Sequence, residues 1–450
     1  MRGELVWGRG ARSKHLAKWV SGSGTHGSFF KTVGAVSSLR ASGGALLFLS
    51  QILLAAWMGP EAFGSYSFAW ACVAVLSTLA GLGFSGASVR FISRYLAVDE
   101  IPRLRGLIRF GRGLTLIVSC AVAAVGIAAV SLLASESPYL GPLQLAFLAI
   151  PVIAFMNLEA AYARGFNWMV LASVAEQIGR PTLLIVIGWL TARALGEPYA
   201  EPFVLACVLA YLLVTVGQHV VVRSRIRAAI ETGPREREPR IWMRFSVAML
   251  LLSGSHTVRI NTGLVMVGLF LEPSDVGIYT AAVRTSTLVS LVFMVMGVVA
   301  QPTISSMHVR GLKSDLQHFI TTAARWIFAA SLAIGILVAL FGTFVLELFG
   351  PDFTDGYEAL LILVVGHVLV AGFGPVTSLL TMTGHQDSAA LVYGLSALVN
   401  IVLNATLIPF LGILGAAVAT SLNLFITHLA LFWMARRDLQ LSSAIIGSET

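Results

Sequence analysis

Hydrophobic positions along this chain fall in long blocks rather than in the narrow stripes of a soluble helical protein. Apolar stretches run at roughly 33–57, 65–87, 113–134, 142–163, 168–191, 202–222, 245–271, 276–304, 325–349, 357–382, 388–409 and 412–435. Each reaches the length of about 20 residues that a helix needs to cross a bilayer. The blocks predict an all-α polytopic membrane protein with about twelve transmembrane helices. Between the blocks lie short polar turns, and outside them a basic tail at 1–32, a charged linker at 223–244 and a second tail at 438–450. The linker divides the spans into two lobes of six helices, 33–222 and 245–437. An even number of spans per lobe gives both lobes the same orientation. The two should then be related by an axis along the membrane normal, with a substrate path between them.

Composition narrows the class further. With 57% hydrophobic and 12% charged residues, the chain is too apolar for a soluble domain. The net charge of +8 raises nucleic acid as a partner, but the placement of the charges argues for no nucleic acid. With the N-terminus inside, Lys and Arg gather on one set of loops: the tail, 90–112 with Arg112 at its end, Arg164, the linker, 310–325, and Arg436 with Arg437. The opposite loops hold Arg193 and otherwise acids such as Glu61, Glu272, Asp275 and Asp352. This is the positive-inside pattern, and it places both termini in the cytoplasm. The linker and the N-terminal tail, with its Trp7 and Trp19, read as solvated segments, and a tail resting on membrane lipid is the sharper alternative.

Motifs for chemistry are few. Cys72, Cys120 and Cys207 lie in apolar blocks without metal-ligand spacing, so no metal site or cofactor is expected and all three read as small buried hydrophobes. Gly81-Leu82-Gly83-Phe84-Ser85-Gly86 has the letters of a dinucleotide fingerprint but follows no strand, which favours helix packing. The loops are too short to build a catalytic centre, so a transporter is favoured over an enzyme. Function concentrates instead in charges within the spans: Arg40, Arg180, Arg259 and Arg284. An arginine in hydrocarbon costs several kcal/mol unless it faces protein or a wet cavity. Arg259 and Arg284 have no acid within a turn, and a guanidinium presents a planar fork of donors to phosphoryl oxygens. Both are expected to line a cavity that receives phosphate. Arg40 lies near the end of its span, where it either snorkels or binds. Glu176 precedes Arg180 by four residues, a spacing for a structural ion pair, with proton coupling through Glu176 as the alternative. Glu159 is expected to pair with Arg164. Gln51, Asn157, His367, Asn400, Asn404, Asn423 and His428 read one by one as interhelical hydrogen bonds.

A faint repeat links the halves. Pro60, Gly64, Tyr66 and Ala69 recur at a fixed offset as Pro273, Gly277, Tyr279 and Ala282. With the run Leu379-Leu380-Thr381-Met382-Thr383-Gly384 through Asn400, Asn404 and Gly412-Ile413-Leu414-Gly415-Ala416-Ala417, these stretches resemble the polysaccharide biosynthesis (oligosaccharide flippase, Wzx-like) proteins of the MATE-like exporter superfamily. The resemblance covers residues 33 to 437. It implies a two-lobed fold that moves polyprenyl-diphosphate-linked sugars across the bacterial inner membrane by alternating access. The implied partners are the lipid-linked oligosaccharide and the glycan polymerase and glycosyltransferases of the same pathway, for O-antigen, capsule or exopolysaccharide. Such proteins often carry Arg followed two residues later by Asp in helix seven. Here the pair is Arg259 and Asn261, an amide at the position where an ion-coupling carboxylate is expected. A MATE-type small-molecule antiporter and a membrane glycan polymerase or ligase are the two alternative functions.

Overall fold

The computed structural model describes residues 26–133, 136–194 and 199–444, without the side chains of 26–37, 41, 252, 294, 295, 298 and 299. The side chains of the basic tail predicted at 1–32 therefore lie outside the described residues. The rest is helical almost throughout: α1 (His26–Ala80), α2 (Phe84–Ala97), α3 (Ile101–Leu133), α4 (Leu140–Phe147), α5 (Ala149–Gly165), α6 (Met169–Val174), a π-helical turn (Ala175–Gly179), α7 (Arg180–Ala194) and α8 (Ala200–Ala229) form the first half. The second half comprises α9 (Pro239–Phe270), α10 (Pro273–Val309), α11 (Lys313–Glu347), a short 3-10 turn (Pro351–Gly356), α12 (Tyr357–Ala371), α13 (Val376–Met382) and α14 (Gln386–Leu439). There is no strand among the described residues, as expected where lipid cannot satisfy an open backbone.

Two of these helices each contain two spans. The chain breaks at Gly59 (φ +73°), next to Pro60, and at Gly412 (φ +58°), close after Pro409. A positive φ strains any residue with a Cβ, and proline removes a helical donor, so the direction changes there at low cost. Nine helical stretches among the described residues are long and apolar enough to cross a membrane, those of α1 and α14 among them. Counting both limbs of these two and adding α9, each of the twelve expected spans has its helix. Helix α9 is absent from the nine, and its middle carries Ser253, Ser255, His256, Thr257, Arg259 and Asn261.

Three features differ from the sequence expectation. Beyond the span expected to end at 87, the helix Phe84–Ala97 continues through residues expected in a loop, and α3 begins at Ile101, so Arg112 lies within a helix and not in a cytoplasmic loop. The span expected at 357–382 is interrupted between α12 and α13. The linker, expected to be solvated, is docked where it joins α9. Trp242 is fully buried and its Nε1 donates to Tyr95 Oη at 2.9 Å. Tyr95 Oη in turn donates to Glu238 Oε2 at 3.2 Å. Arg103 bridges Glu100, Glu236 and Glu238 at 2.8 to 3.3 Å, and the Glu236 amide donates to the Pro102 carbonyl at 3.0 Å. Alternating Arg and Glu in the linker looked like a solvated tether; the partners that hold it, Tyr95 and Arg103, come from α2 and α3, far away in the chain.

The repeat becomes a contact. A Cβ on Gly64 would overlap the carbonyl oxygen of Pro273, and one on Gly277 would overlap that of Pro60. Each turn packs on the equivalent atom of the other, as a pseudo-two-fold axis requires. Around it Phe63 meets Phe353 and Phe48 meets Phe349, both at 5.9 Å between ring centroids, so the halves close against each other at the Gly59 end. Gly64→Val and Gly277→Val are each expected to prise this end open. A cysteine at position 353 should then react with a membrane-impermeant maleimide about tenfold faster, the factor that corresponds to a shift of about 1.4 kcal/mol. Unchanged labelling would show that this packing does not hold the closure.

Candidate substrate cavity

A cavity of about 900 Å³ lies between the halves. Its walls come from α1, α5, the π-helical turn, α7 and α8 on one side, and from α9 to α14 on the other. Three of the four arginines singled out from the sequence line it, Arg180, Arg259 and Arg284, together with Glu176 and Asn261. Arg40 does not; it is exposed, and its charged neighbour is Arg164. Arg259 and Arg284 each lie eleven residues from the helix end nearest Gly59, at Phe270 and Pro273 respectively. At a rise of about 1.5 Å per residue that is a depth of roughly 16 Å, half the thickness of a hydrocarbon core.

Arg180 belongs to the first half. Its Nη1 donates to Tyr211 Oη at 2.8 Å, its guanidinium stands 5.3 Å from the same ring, and its Nε is buried without a protein partner. The ion pair expected with Glu176 does not form: no salt bridge joins the two, and Glu176 is exposed to the cavity. Arg180 turns instead to Tyr211 on α8, at the point where the helix leaves the π-helical turn Ala175–Gly179. Trp70 stacks on Tyr211 at 5.4 Å, and Tyr66 Oη donates to Cys207 Sγ at 3.4 Å. Cys207 thus takes part in the polar wall instead of acting as a plain hydrophobe.

Arg284 faces this group from the second half, with Arg180, Tyr66 and Tyr211 as its electrostatic neighbours. Among the described residues its guanidinium makes no hydrogen bond or ion pair; its carbonyl accepts from Thr287 Oγ1 on the same helix. Arg259 forms a separate centre: its guanidinium lies 5.4 Å from the Tyr393 ring, and its charge acts on His256 and His428. Asn400 Nδ2 donates to the Arg259 carbonyl at 3.0 Å and ties α14 to α9. Asn261 spends its Nδ2 donor on the Thr257 carbonyl of its own helix at 2.9 Å. His367, Asn423 and His428, read singly as interhelical bonds, all reach the cavity wall. Tyr211, Tyr393 and Trp70 were not singled out. Each partners an arginine, or that arginine's partner, from a distant segment, and the sequence carries no local signal for that.

Away from the cavity, Glu159 does not pair with Arg164. It is fully buried and accepts from Arg112 through both oxygens, Nε to Oε1 at 2.7 Å and Nη2 to Oε2 at 3.0 Å, while His219 Nδ1 lies 3.0 Å from Oε1. One carboxylate thereby joins α3, α5 and α8.

A family model described as polysaccharide biosynthesis protein matches residues 31–308, more than half of the chain. The chain belongs to that family. Curated relatives of this chain include "Probable flippase AglR" of Haloferax volcanii, 32% identical over 165 residues, which are 36% of this chain and 34% of the relative. An uncharacterized membrane protein of Methanocaldococcus jannaschii, MJ1068, is 25% identical over 160 residues, 35% of this chain and 32% of that protein. The chain thus spans about a third of the length of each of these relatives. Among solved structures, the inward-facing conformation of a multidrug resistance MATE family transporter of the MOP superfamily superposes with a TM-score of 0.74 at 15% identity, over 90% of this chain and 98% of that one. An outward-facing conformation gives 0.66 at 16% identity, over 96% and 97%. The chain therefore has the MATE fold, with a cavity whose charge is mostly arginine.

Proposed function

We propose that this protein is a flippase that carries a polyprenyl-diphosphate-linked oligosaccharide across the bacterial inner membrane. The observation that carries the reading is the charge of the cavity. Three arginines, two of them with an unpartnered Nε, line it at mid-depth, and Glu176 is the one carboxylate among its described lining residues. Such a wall suits a diphosphate, whose oxygens match the guanidinium fork. A sugar chain with its diphosphate cannot cross hydrocarbon unaided, so a wet cationic path is the device it needs. Hydroxyls, amides and imidazoles on the same walls offer donors and acceptors to sugar hydroxyls. The family membership and the name of the Haloferax volcanii relative support the same reading. With the closed Gly59 end at the periplasm, the cavity would accept cargo from the cytoplasmic leaflet, and the halves 33–222 and 245–437 would rock as the two moving lobes.

The MATE fold by itself also suits export of organic cations. A cationic wall repels such cargo, and transport assays separate the two. Purified protein in vesicles should expose a fluorescently labelled polyprenyl-diphosphate disaccharide to an impermeant quencher, and should leave the flux of a cationic dye at the level of empty vesicles. Dye transport without movement of the labelled lipid would sink the flippase reading.

A further inference from the structure

Along α8, Tyr211, Thr215, Gln218 and His219 follow at positions i, i+4, i+7 and i+8, which is one face of the helix. At one end Tyr211 accepts from Arg180 in the cavity wall, and at the other His219 meets Glu159. Between them Thr215 Oγ1 and both polar atoms of Gln218 are buried with no protein partner. Thr115 Oγ1, three residues from Arg112 on α3, is likewise unpartnered. Buried polar atoms of native proteins are bonded to protein or to water, and a strip of them calls for a file of water molecules. Eight residues of helix span roughly 12 Å, a distance that about four hydrogen-bonded waters cover.

We propose that the Glu159–His219 pair is a proton-binding site inside the first half, connected to Arg180 and the cavity by this polar file. Arg112 bonds both carboxylate oxygens, so Glu159 keeps its negative charge and the exchangeable site is the imidazole. In the neutral ring Nδ1–H donates to Glu159 Oε1 and Nε2 is an open acceptor. A proton arriving from water binds Nε2 and leaves the bond to Glu159 intact; release from Nε2 to water reverses the step. The cluster alternates between net charges of zero and plus one, with no other bond made or broken. The His219 side chain is 25% exposed while Glu159 is 0% exposed, so the histidine is the member with access to a proton source.

The charged groups around His219 are few. Glu159 faces it from α5, Arg112 shares that carboxylate from α3, and Arg223 lies one turn on along α8. From α7 and the π-helical turn come Arg180 and Glu176, at the Tyr211 end of the file. The Phe155 ring covers the imidazole at 5.3 Å. One added positive charge about 12 Å from Arg180, at an effective dielectric constant of about 20, changes the affinity of the cavity for a univalent anion about tenfold. Proton uptake would then tighten anion binding, and release would loosen it.

The test uses full-length protein in lipid nanodiscs and vesicles, as wild type, His219→Gln and Glu159→Gln. With ¹⁵N-histidine labelling and spectra recorded from about pH 5 to 8, the signal missing from His219→Gln is expected to report reversible proton uptake in the wild type and a different response in Glu159→Gln. In vesicles, movement of the labelled lipid-linked disaccharide should change about tenfold across that range in the wild type and less than about twofold in His219→Gln. A His219 signal that does not titrate, or a His219→Gln profile that superimposes on the wild type, overturns the proposal. Should the wild type move no labelled lipid, the flippase reading fails, while the histidine titration still decides the proton site by itself. Should Glu159→Gln not fold, His219→Gln carries both readouts.

Discussion

Arg284→Ala is expected to abolish delivery of the lipid-linked sugar to the outer leaflet at unchanged protein levels, with Arg284→Lys recovering part of the loss. Arg284 stands at the seam between the halves, beside Arg180, and has no anion to hold among the described residues. On the proposed function, cargo oxygens would match its charge in the loaded state, and removing one partner of such a pair costs about 2–5 kcal/mol, or roughly thirtyfold or more in affinity. Lysine restores the charge but not the two-pronged geometry, so its rescue should be incomplete. Arg180→Ala and Arg259→Ala should each fall in the same direction. Arg40→Ala should remain within about 0.5 kcal/mol of wild type, because Arg40 is exposed and outside the cavity wall. The measurement is surface glycan together with lipid-linked sugar retained on the inner leaflet. Normal export by Arg284→Ala would assign that residue a structural role and leave the cavity without its main argument.

Arg112→Ala is expected to be the most destabilising single change in the first half. Glu159 is fully buried, and without Arg112 it faces a low-dielectric interior with His219 as its remaining partner among the described residues. Breaking a buried pair from one side costs about 3–5 kcal/mol, because it strands the other charge. Removing both partners with apolar residues of similar size, Arg112→Met with Glu159→Leu, should recover much of the loss. Thermal unfolding in detergent, followed by size-exclusion, ranks the three proteins. If Arg112→Ala and the double variant melt alike, the pair is not the element that binds α3 to α5.

The spans were legible in the sequence because lipid demands long apolar helices, and that demand leaves a local signature of length and composition. Arg180, Arg259 and Arg284 were legible as residues of the cavity wall for the same reason: a charge in a membrane block has few tolerable surroundings. Ion-pair partners were not. The spacing of Glu176 and Arg180 promised a bond on one helix face, and Arg180 took Tyr211 from α8 instead. Arg164 lay near Glu159 in sequence, yet the carboxylate took Arg112 from α3 and His219 from α8. Pairing depends on which helix faces meet, and that depends on rotations of a few tens of degrees that hydropathy does not encode.

By itself, the sequence determined the all-helical class, the long apolar spans and the residues whose burial required a purpose. Each is a property of one segment in its solvent. Tertiary structure alone decided that the repeated turns pack reciprocally through Gly64 and Gly277, that the linker is docked through Trp242, and that three arginines from three helices share one cavity. It also decided that Tyr211 to His219 form a buried polar strip. These are relations between segments far apart in the chain, set by close approach and by the satisfaction of buried polar groups, and they exist only once the helices have packed.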